Sequence, residues 1–261
     1  MAPALVIPGM PTESTEIAGP TAYDVVVVGG GVAGLSAAVF TARAGKETLV
    51  LDAGGSILRR NAHLENYPGF PAGVNARLLL DMIEAQADRA GCDRREGDVT
   101  AVEATDGGFR VETAAGDAHE SEYVVAATKN EVGYLDGIEG VGILDRGKQF
   151  VDTDEGGRTG VDGLYAAGRL AEKPHQAIVS AGHGAEVAVA LLEDDDDPFY
   201  HDWVAPEGYF TDRGRDVPPG CEEIDEATGR EREDEARETL REFVADPHPD
   251  DQPTHPSLRE E

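Results

Sequence analysis

The stretch that decides the fold of this 261-residue chain is Tyr23–Asp52, YDVVVVGGGVAGLSAAVFTARAGKETLVLD. Tyr23–Val28 is rich in β-branched residues, as is typical of a strand that is buried on both faces. Val32–Ala44 then carries apolar residues at helical spacing, and Thr48–Leu51 is a second strand-like run. We therefore predict one compact β–α–β unit at the start of the ordered chain.

A glycine motif, Gly29-x-Gly31-x-x-Gly34, lies between the predicted strand and the predicted helix. In this context the glycines allow a tight turn and a close approach of the backbone to a pyrophosphate. Val32 and Ala33 open the helix, whose N-terminus would face the phosphates. A glycine-rich turn with a purely structural role is the alternative interpretation.

Asp52 ends the second predicted strand, eighteen residues after Gly34. A carboxylate at this distance accepts hydrogen bonds from the ribose hydroxyls of a dinucleotide. The strand, the helix and the acid together therefore predict dinucleotide binding more strongly than the glycine motif does alone.

The later sequence alternates between helical and strand-like runs and then changes character at Glu193. We predict a helix at Asn75–Ala90, a hairpin formed by Val99–Ala104 and Phe109–Thr113, a strand at Tyr123–Ala127, a short strand at Gly163–Ala166 and a helix at Gln176–Leu192. The fold class is therefore α/β, a Rossmann-like FAD/NAD(P)-binding domain with a parallel sheet, a small β-hairpin layer and an acidic C-terminal tail.

Three regions are expected: a flexible leader at 1–21, a nucleotide-binding domain at 22–192 and an acidic extension at 193–261. The extension holds 24 acidic and seven basic residues. It also holds five aromatic residues between Phe199 and Phe210, and a helix is predicted at Glu231–Ala245. We expect these aromatic side chains to cover an apolar face of the nucleotide-binding domain, with a lid over the site as the alternative.

The net charge restricts the partners. The chain has 22 Lys and Arg residues against 52 Asp and Glu residues, a formal charge of −30, and only four of the basic residues are lysines. Nucleic acids and anionic membrane surfaces are therefore poor partners. Such an acidic, lysine-poor surface is typical of proteins that stay hydrated in concentrated salt, so we expect a halophilic host.

Cysteine usage and hydropathy indicate a cytoplasmic protein. Cys92 and Cys221 cannot form a disulfide framework, and no pattern of cysteines or histidines suggests a metal site. The N-terminal sequence lacks a basic region, and no run of eighteen apolar residues occurs. Cys92 is expected to be structural, and the acidic neighbours of Cys221 disfavour a reactive thiolate.

Three ordered motifs extend the argument: NYPGFP at Asn66–Pro71, VDGLYAAG at Val161–Gly168 and HQAIVSAGHGAEVA at His175–Ala188. Together with the glycine motif they resemble the flavin-domain motifs of the low-molecular-weight thioredoxin reductase family over roughly residues 23–192. The resemblance implies FAD as the cofactor. It also implies a homodimer.

The resemblance assigns residues to the parts of FAD. It implies that the ADP half contacts the glycine motif and Asp52, that the adenine side is lined by the backbone of two further residues, and that the flavin end contacts the loop after the second strand and the start of the last helix. The implied contacts beyond the motif are Gly55, Ser56 and Asn66 toward the flavin, Val99 and Ala127 at the adenine, Gly168 at the pyrophosphate and ribityl chain, and Gln176 and Ala177 at the flavin ring.

The chain departs from that family in three places. Residues 128–160 replace the NADPH domain and its Cys-x-x-Cys pair, Lys129 stands where the family has a glycine, and Arg169 stands where it has an aspartate. Arg169 could pair with the pyrophosphate instead. His175 adjoins the flavin-end residues, and either a helix-cap role or a proton-gating role is open for it.

These observations predict an FAD-dependent oxidoreductase that consists of a flavin domain and is not a self-sufficient NADPH–thioredoxin reductase. It would take electrons from an electron-carrier protein, from a docked reductant or from its small-molecule substrate. The competing hypothesis is a non-catalytic module that binds FAD, or another adenine dinucleotide, for regulation or assembly. Thiazole-forming enzymes are a third and weaker analogy, and no catalytic residue is assigned.

Overall fold

The computed structural model describes residues 21–198 and 200–258. The predicted leader, apart from Thr21, and Phe199 lie outside the described residues. The strands are β1 (Thr21–Val28), β2 (Thr48–Asp52), β3 (Asp93–Glu96), β4 (Val99–Thr105), β5 (Gly108–Thr113), β6 (Ala118–Ala126), β7 (Ile143–Asp145), β8 (Gln149–Val151), β9 (Leu164–Ala166), β10 (Trp203–Pro206) and β11 (Cys221–Ile224). The helices are α1 (Val32–Arg43), α2 (Ala76–Ala90), α3 (Ala177–Asp194) and α4 (Glu226–Val244).

A seven-stranded sheet organises residues 21–198. Its order is β3-β2-β1-β6-β5-β4, and β9 also pairs with β6. β3, β2, β1, β6 and β9 are parallel to their neighbours in this set. The hairpin β4–β5 is antiparallel and continues from the first half of β6, whereas β9 pairs with its second half. The predicted α/β class with a parallel sheet and a β-hairpin is confirmed.

The sheet is buried on both faces because β1 alternates between two cores. Val25 and Val27 pack with α1, α2 and α3 in one cluster, whereas Val26 and Val28 pack in the other. The second cluster also contains the hairpin and the segment 132–138. The continuous apolar run that predicted a doubly buried strand is explained by these two layers.

Small residues let α1 and α3 approach closely. A Cβ placed on Gly184 of α3 would lie 2.0 Å from the carbonyl oxygen of Ala33 in α1. A Cβ on Gly168 would likewise lie 2.6 Å from the Ala33 Cβ. A larger residue at Gly184 would therefore push α3 away from α1, and one at Gly168 would displace the turn after β9 from α1.

Several strands escaped the sequence-based prediction. β3 reads DRRE and is exposed along its whole length, so it has no apolar pattern. β7 and β8 form a three-residue hairpin in a segment that shows no periodicity. β6 is longer than predicted because its first half, Ala118–Glu122, alternates buried and exposed residues against the hairpin.

The acidic extension is more ordered than the predicted tail. β10 and β11 pair in parallel, and α4 begins at Glu226, five residues before the predicted start. Asp225 caps this helix by accepting a hydrogen bond from the Thr228 N–H at 2.8 Å. Glu223 holds the turn after β10 by accepting hydrogen bonds from the Phe210 N–H and from the N–H groups of Gly208 and Thr211, the last two at 3.1 and 3.0 Å. Desolvation alone would raise its pKa, but these hydrogen bonds, first that from Phe210, lower it to about 2.

The aromatic residues of the extension form their own cluster. Trp203, Tyr209 and Phe210 meet edge to face at centroid distances of 4.7–5.4 Å. Asp202 beside them forms a bidentate ion pair with Arg43 at the last turn of α1, at 2.6 Å for both bonds. The extension therefore contacts the domain on its helix side, whereas residues 132–138 pack on the other face of the sheet. The predicted cover of an apolar face by these aromatic side chains stays a prediction.

Asp195, which follows the last residue of α3, anchors the start of the extension to the domain. Asp195 accepts hydrogen bonds from Lys46 Nζ at 2.6 Å and from the Tyr123 hydroxyl at 3.1 Å. The Asp195 and Lys46 side chains are only 7% and 12% exposed. Burial alone would raise the pKa of Asp195, but the hydrogen bonds from Lys46, the Asp197 N–H and Tyr123 together lower it.

We expect Asp195→Asn to lower the free energy of unfolding by about 2 kcal/mol near neutral pH, because a buried charge-assisted hydrogen bond is lost. Since the folded pKa of Asp195 is depressed, its contribution is present above the unfolded pKa and is lost as the pH falls through the folded pKa, below about pH 4. Thermal melts over a pH series measure this difference. Asp197→Asn is the control, because the Asp197 side chain is 77% exposed and should matter by less than about 0.5 kcal/mol. Equal effects of the two substitutions near neutral pH would contradict the assignment.

Candidate functional site

A cleft of about 800 Å³ opens at the carboxyl edge of the parallel strands. Its walls come from the segments that follow β1, β2, β3, β6 and β9. β1 and β6 are neighbours, but the chain leaves β1 toward β2 on one side and returns to β6 on the other. This is the switch point of the sheet, where open α/β sheets bind ligands.

Two helix N-termini face the cleft. Gly31 and Ala33 at the start of α1, and Gln176 and Ala177 at the start of α3, line its wall. Neither helix has an acidic residue in its first turn, and neither N-cap residue makes a side-chain cap hydrogen bond. The positive ends of both helix dipoles are therefore available to an anionic ligand.

The glycine motif has one position that faces the cleft and one that does not. A Cβ on Gly31 would meet only the Ser56 Oγ, at 3.9 Å, so this position opens into the cleft. A Cβ on Gly34 would lie 2.0 Å from the Gly29 carbonyl oxygen, because helix and strand are in contact there. The structure thus has the phosphate cradle that a dinucleotide needs, and the residues present fit FAD in this respect.

Asp52 lies at the end of β2 and lines the cleft. Its Oδ1 accepts a hydrogen bond from the Gly54 N–H at 3.1 Å. A Cβ on Gly30 would lie 2.6 Å from the Asp52 Oδ2, so the absence of a side chain at Gly30 makes room for the carboxylate. One carboxylate oxygen remains for a ligand hydroxyl.

The loop after β2 closes the opposite wall. An isolated bridge between Leu64 and Val74 holds the loop that carries NYPGFP, and Tyr67 and Phe70 pack against the helix-side core. Asn66 Nδ2 donates a hydrogen bond to Gln176 Oε1 at 2.8 Å. This bond ties the loop to the start of α3 across the cleft.

His183 holds the turn after β9. Its Nδ1 accepts a hydrogen bond from the Gly168 N–H at 2.9 Å, and the side chain is 3% exposed. Burial lowers the pKa of His183, and the nearby Lys173 charge lowers it further. His183 is a buried residue of α3 and supports the cleft from behind through Gly168.

Arg169 lines the cleft without a carboxylate partner in the described part of the chain. Its guanidinium lies over the Phe150 ring at 4.9 Å and donates to the Lys173 carbonyl oxygen at 3.2 Å. Lys129 lines the same cleft with a left-handed φ of 68°, an uncommon conformation for a residue with a side chain.

Most predicted site residues come together in this cleft. It is lined by Gly29, Gly31, Val32, Ala33, Asp52, Gly55, Ser56, Asn66, Val99, Ala127, Arg169, Gln176 and Ala177. Gly34 and Gly168 do not line the wall; both are buried and pack against Gly29 and Ala33, and their implied contacts with FAD stay predictions. Arg60, Lys129 and Tyr134 also line the cleft, but no sequence pattern singled them out as ligand contacts.

The C-terminal segment braces the cleft wall through Arg77. This residue of α2 is 5% exposed, and its guanidinium donates to the carbonyl oxygens of Arg59, Asn61 and Asp250 at 3.0–3.1 Å. His248 adds a hydrogen bond between its Nε2 and Asp81 Oδ2 at 2.9 Å. Residues 57–61 of the wall and residues 248–250 of the extension therefore share one buried cation.

The extension does not form a lid, because none of residues 200–258 lines the cleft. Cys92 is buried. Its burial, and to a smaller extent the charge of Asp88, raises its pKa to about 11, which agrees with a structural thiol. Among residues 21–198 and 200–258, no cluster of side chains has the makings of a metal site. No helix in the same residues is long and apolar enough to span a membrane.

Comparison with known proteins agrees with this geometry. A family model described as an FAD binding domain matches residues 24–60. Thioredoxin reductase from Streptomyces clavuligerus is 35% identical over 112 residues, 41% of this chain and 34% of the relative. Bifunctional thioredoxin reductase/thioredoxin from Mycobacterium leprae is 34% identical over 145 residues, 55% of this chain and 32% of the relative. The chain therefore spans about a third of the length of these relatives.

Solved structures show the same fold. The thioredoxin reductase from Gloeobacter violaceus has a TM-score of 0.55 at 20% identity, covering 65% of this chain and 94% of that chain. The enzyme from Lactococcus lactis has a TM-score of 0.60 at 15% identity, covering 66% and 98%. The family model and the relatives indicate FAD binding, which confirms the predicted cofactor.

We expect Gly31→Val to abolish FAD binding while the fold persists, because the new side chain enters the cleft and meets no backbone atom. Gly34→Ala should instead unfold the domain, because its Cβ meets the Gly29 carbonyl oxygen. Flavin absorbance after reconstitution and the melting temperature of the FAD-free protein separate the two effects. A yellow Gly31→Val protein would contradict this view of the cleft.

We expect Arg77→Met to lower the free energy of unfolding by about 2–3 kcal/mol and to weaken FAD binding by about tenfold, because the wall at 57–61 loses its support. Fluorescence titration of the FAD-free variant with FAD measures the affinity. The control is Arg89→Met, which removes an exposed ion pair to Glu235 and should change stability by less than about 0.5 kcal/mol. Unchanged FAD affinity in Arg77→Met would refute the bracing role.

Proposed function

We propose that the protein is an FAD-dependent oxidoreductase that resembles the flavin domain of thioredoxin reductases. The observation that carries the proposal is the cleft at the sheet's switch point, where the N-termini of α1 and α3 converge without an acidic residue in their first turns. A regulatory FAD-binding module would need only the N-terminus of α1, which would hold the phosphates. The N-terminus of α3 at the other end of the cleft favours redox chemistry instead.

The residues of the cleft divide the work along its length. The α1 N-terminus and Gly31 would hold the pyrophosphate, and Asp52 would accept hydrogen bonds from the ribose. FAD, when bound, supplies the electron-transfer chemistry. The α3 N-terminus would stabilise negative charge at the reducible end, since its dipole presents partial positive charge there. Asn66 would fix this end by holding Gln176.

His175 is the candidate proton-handling residue at the same end. Burial lowers its pKa, and the charges of Arg169, Lys129 and Lys148 lower it further. The neutral form is therefore favoured near neutral pH, so the ring can accept a proton. Its position next to Gln176, among the residues that line the cleft, supports a role in moving protons to or from the cleft.

We further propose that the electron donor is not a nicotinamide bound to a second domain of this chain. The described residues form one seven-stranded sheet and two two-stranded sheets, and the only nucleotide cleft they build is the one assigned to FAD. An electron-carrier protein, a docked reductant or the substrate itself would then reduce the flavin. A homodimer in the cytoplasm of a halophilic host stays a prediction from the sequence.

Anaerobic stopped-flow spectroscopy of the FAD-loaded protein tests this function. We expect dithionite to reduce the flavin fully and NADPH to reduce it only slowly, whereas a suitable donor bleaches it within seconds. Protein without added flavin, and Gly31→Val, are the blanks. Rapid reduction by micromolar NADPH would contradict the proposed donor class, and a protein that cannot be reconstituted with FAD would overturn the function itself.

A further inference from the structure

The lysines of this chain are few and unevenly placed. Lys46 is buried in ion pairs with Asp195 and Asp197. The other three lysines, Lys129, Lys148 and Lys173, form no ion pair within the described residues, although the chain has 52 acidic residues. Most arginines that carry a side-chain partner are matched to a carboxylate, so these free ammonium groups stand out.

Two of the free lysines lie in one depression. Lys129 and Lys148 line a shallow cavity of about 550 Å³ beside the cleft, and Lys129 lines both. Asn130 Nδ2 donates to the Gln149 carbonyl oxygen at 3.2 Å, which fixes the turn of Lys129 against the β7–β8 hairpin that carries Lys148. The two ammonium groups are thus placed by separate elements that are tied together.

Arg169 is a third cation near the start of α3. The charges of Arg169, Lys129 and Lys148 all act on His175 at the start of α3. Arg169 is held over the Phe150 ring, and no carboxylate among the described residues pairs with it. Arg169 and Lys129 line the cleft with His175, and Lys148 lies beside it in the depression.

Carboxylates also line the depression. Glu131 and Asp145 are among its lining residues, and Asp145 Oδ1 accepts a hydrogen bond from the Gly147 N–H at 2.9 Å. Glu172 is engaged by Arg146 at 3.1 Å. The depression therefore holds two lysines and two carboxylates, and neither lysine is paired with either carboxylate within the described residues.

The cleft's own cofactor does not account for Lys148. The pyrophosphate cradle is at Gly31, and Lys148 does not line the cleft. Lys129 also carries a cost, because its φ of 68° favours glycine over a residue with a side chain. Lys129, with its unfavourable backbone conformation, and Lys148 both line an open depression without a carboxylate partner. This arrangement suits a ligand that carries negative charge.

We propose that Lys129 and Lys148 bind a small organic anion, a carboxylate or a phosphate ester, at the open end of the cleft. This rests on the proposed function in one respect: the anion is the charged group of the substrate that exchanges electrons with the flavin. Lysine ammonium groups recognise either class of anion as point charges. Arg169 would add a third positive charge on the cleft side.

Isothermal calorimetry at constant ionic strength tests the site with inorganic phosphate and with succinate as probes. The FAD-loaded and the FAD-free full chain are both titrated, and flavin absorbance is measured separately. We expect a dissociation constant of about 1 mM or tighter for at least one probe. Binding of phosphate alone would assign the site to phosphate esters, and binding of succinate alone to carboxylates.

Lys148→Gln should weaken binding by about tenfold or more and leave the FAD content unchanged. Lys129→Gly should weaken it equally and raise the melting temperature slightly, because glycine fits the backbone there. Lys173→Gln is the matched control, since it removes the same charge from a residue that lines neither cavity.

Equal weakening by Lys148→Gln and Lys173→Gln would show a general charge effect and overturn the site. Binding too weak to detect in both forms of the protein would also overturn it. If FAD fails to bind but a probe binds with the expected lysine dependence, the anion site stands and the proposed function falls. If FAD binds and the probes do not, the proposed function stands and the anion site falls.

Discussion

The contact between α1 and α3 sets the geometry on which the cleft depends. Gly184 lies so close to the Ala33 carbonyl that a side chain there has no room, and Gly168 is similarly pressed against Ala33. Because the first turn of α1 packs against the N-terminal half of α3, both positive dipole ends reach the same cleft. A wider separation would leave one of them facing solvent, and the cleft would lose half of its attraction for an anionic cofactor.

Cations near the end of α3 are paired with carboxylates, whereas two cations at the cleft, Lys129 and Arg169, have no carboxylate partner among the described residues. The ion pairs of Arg43, Lys46 and Arg158 join the domain to acidic residues near the end of α3 and beyond it. The cations that remain unpaired include those at the cleft mouth. Attraction of an anionic ligand to these cations is weakened by salt, since the screening length falls from about 10 Å at 0.1 M to about 3 Å at 1 M. Close, partly buried contacts are screened less than long-range ones.

The parts that the sequence predicted are those with strong local patterns. The β–α–β unit, α2, the hairpin and α3 each have a periodic apolar face, and Asn75 caps α2 through the N–H groups of Arg77 and Leu78 as its residue type favours. β3 could not be predicted, because an exposed strand of charged residues has no pattern. It forms because Leu49–Asp52 offers a free parallel edge after the turn that follows α2.

The candidate site shows the same division. Its motif residues were found because glycine spacing has a local cause, whereas Arg60, Lys129 and Tyr134 reach the cleft only through the tertiary fold. The role of Arg77 could not be predicted for a related reason, since its three carbonyl partners lie 16, 18 and 173 residues away from it in the sequence. Long-range partners of this kind cannot be read from periodicity or from short motifs.

Arg77 also couples the cleft wall to the C-terminal segment. The cleft wall at 57–61 and the backbone at Asp250 hold the same guanidinium, so they form one thermodynamic unit. Linkage is reciprocal: whatever free energy the docked C-terminal segment adds to cofactor binding, the bound cofactor returns to the docking of that segment. Hydrogen exchange and proteolysis near His248 would then report on occupancy of a cleft that this segment never touches.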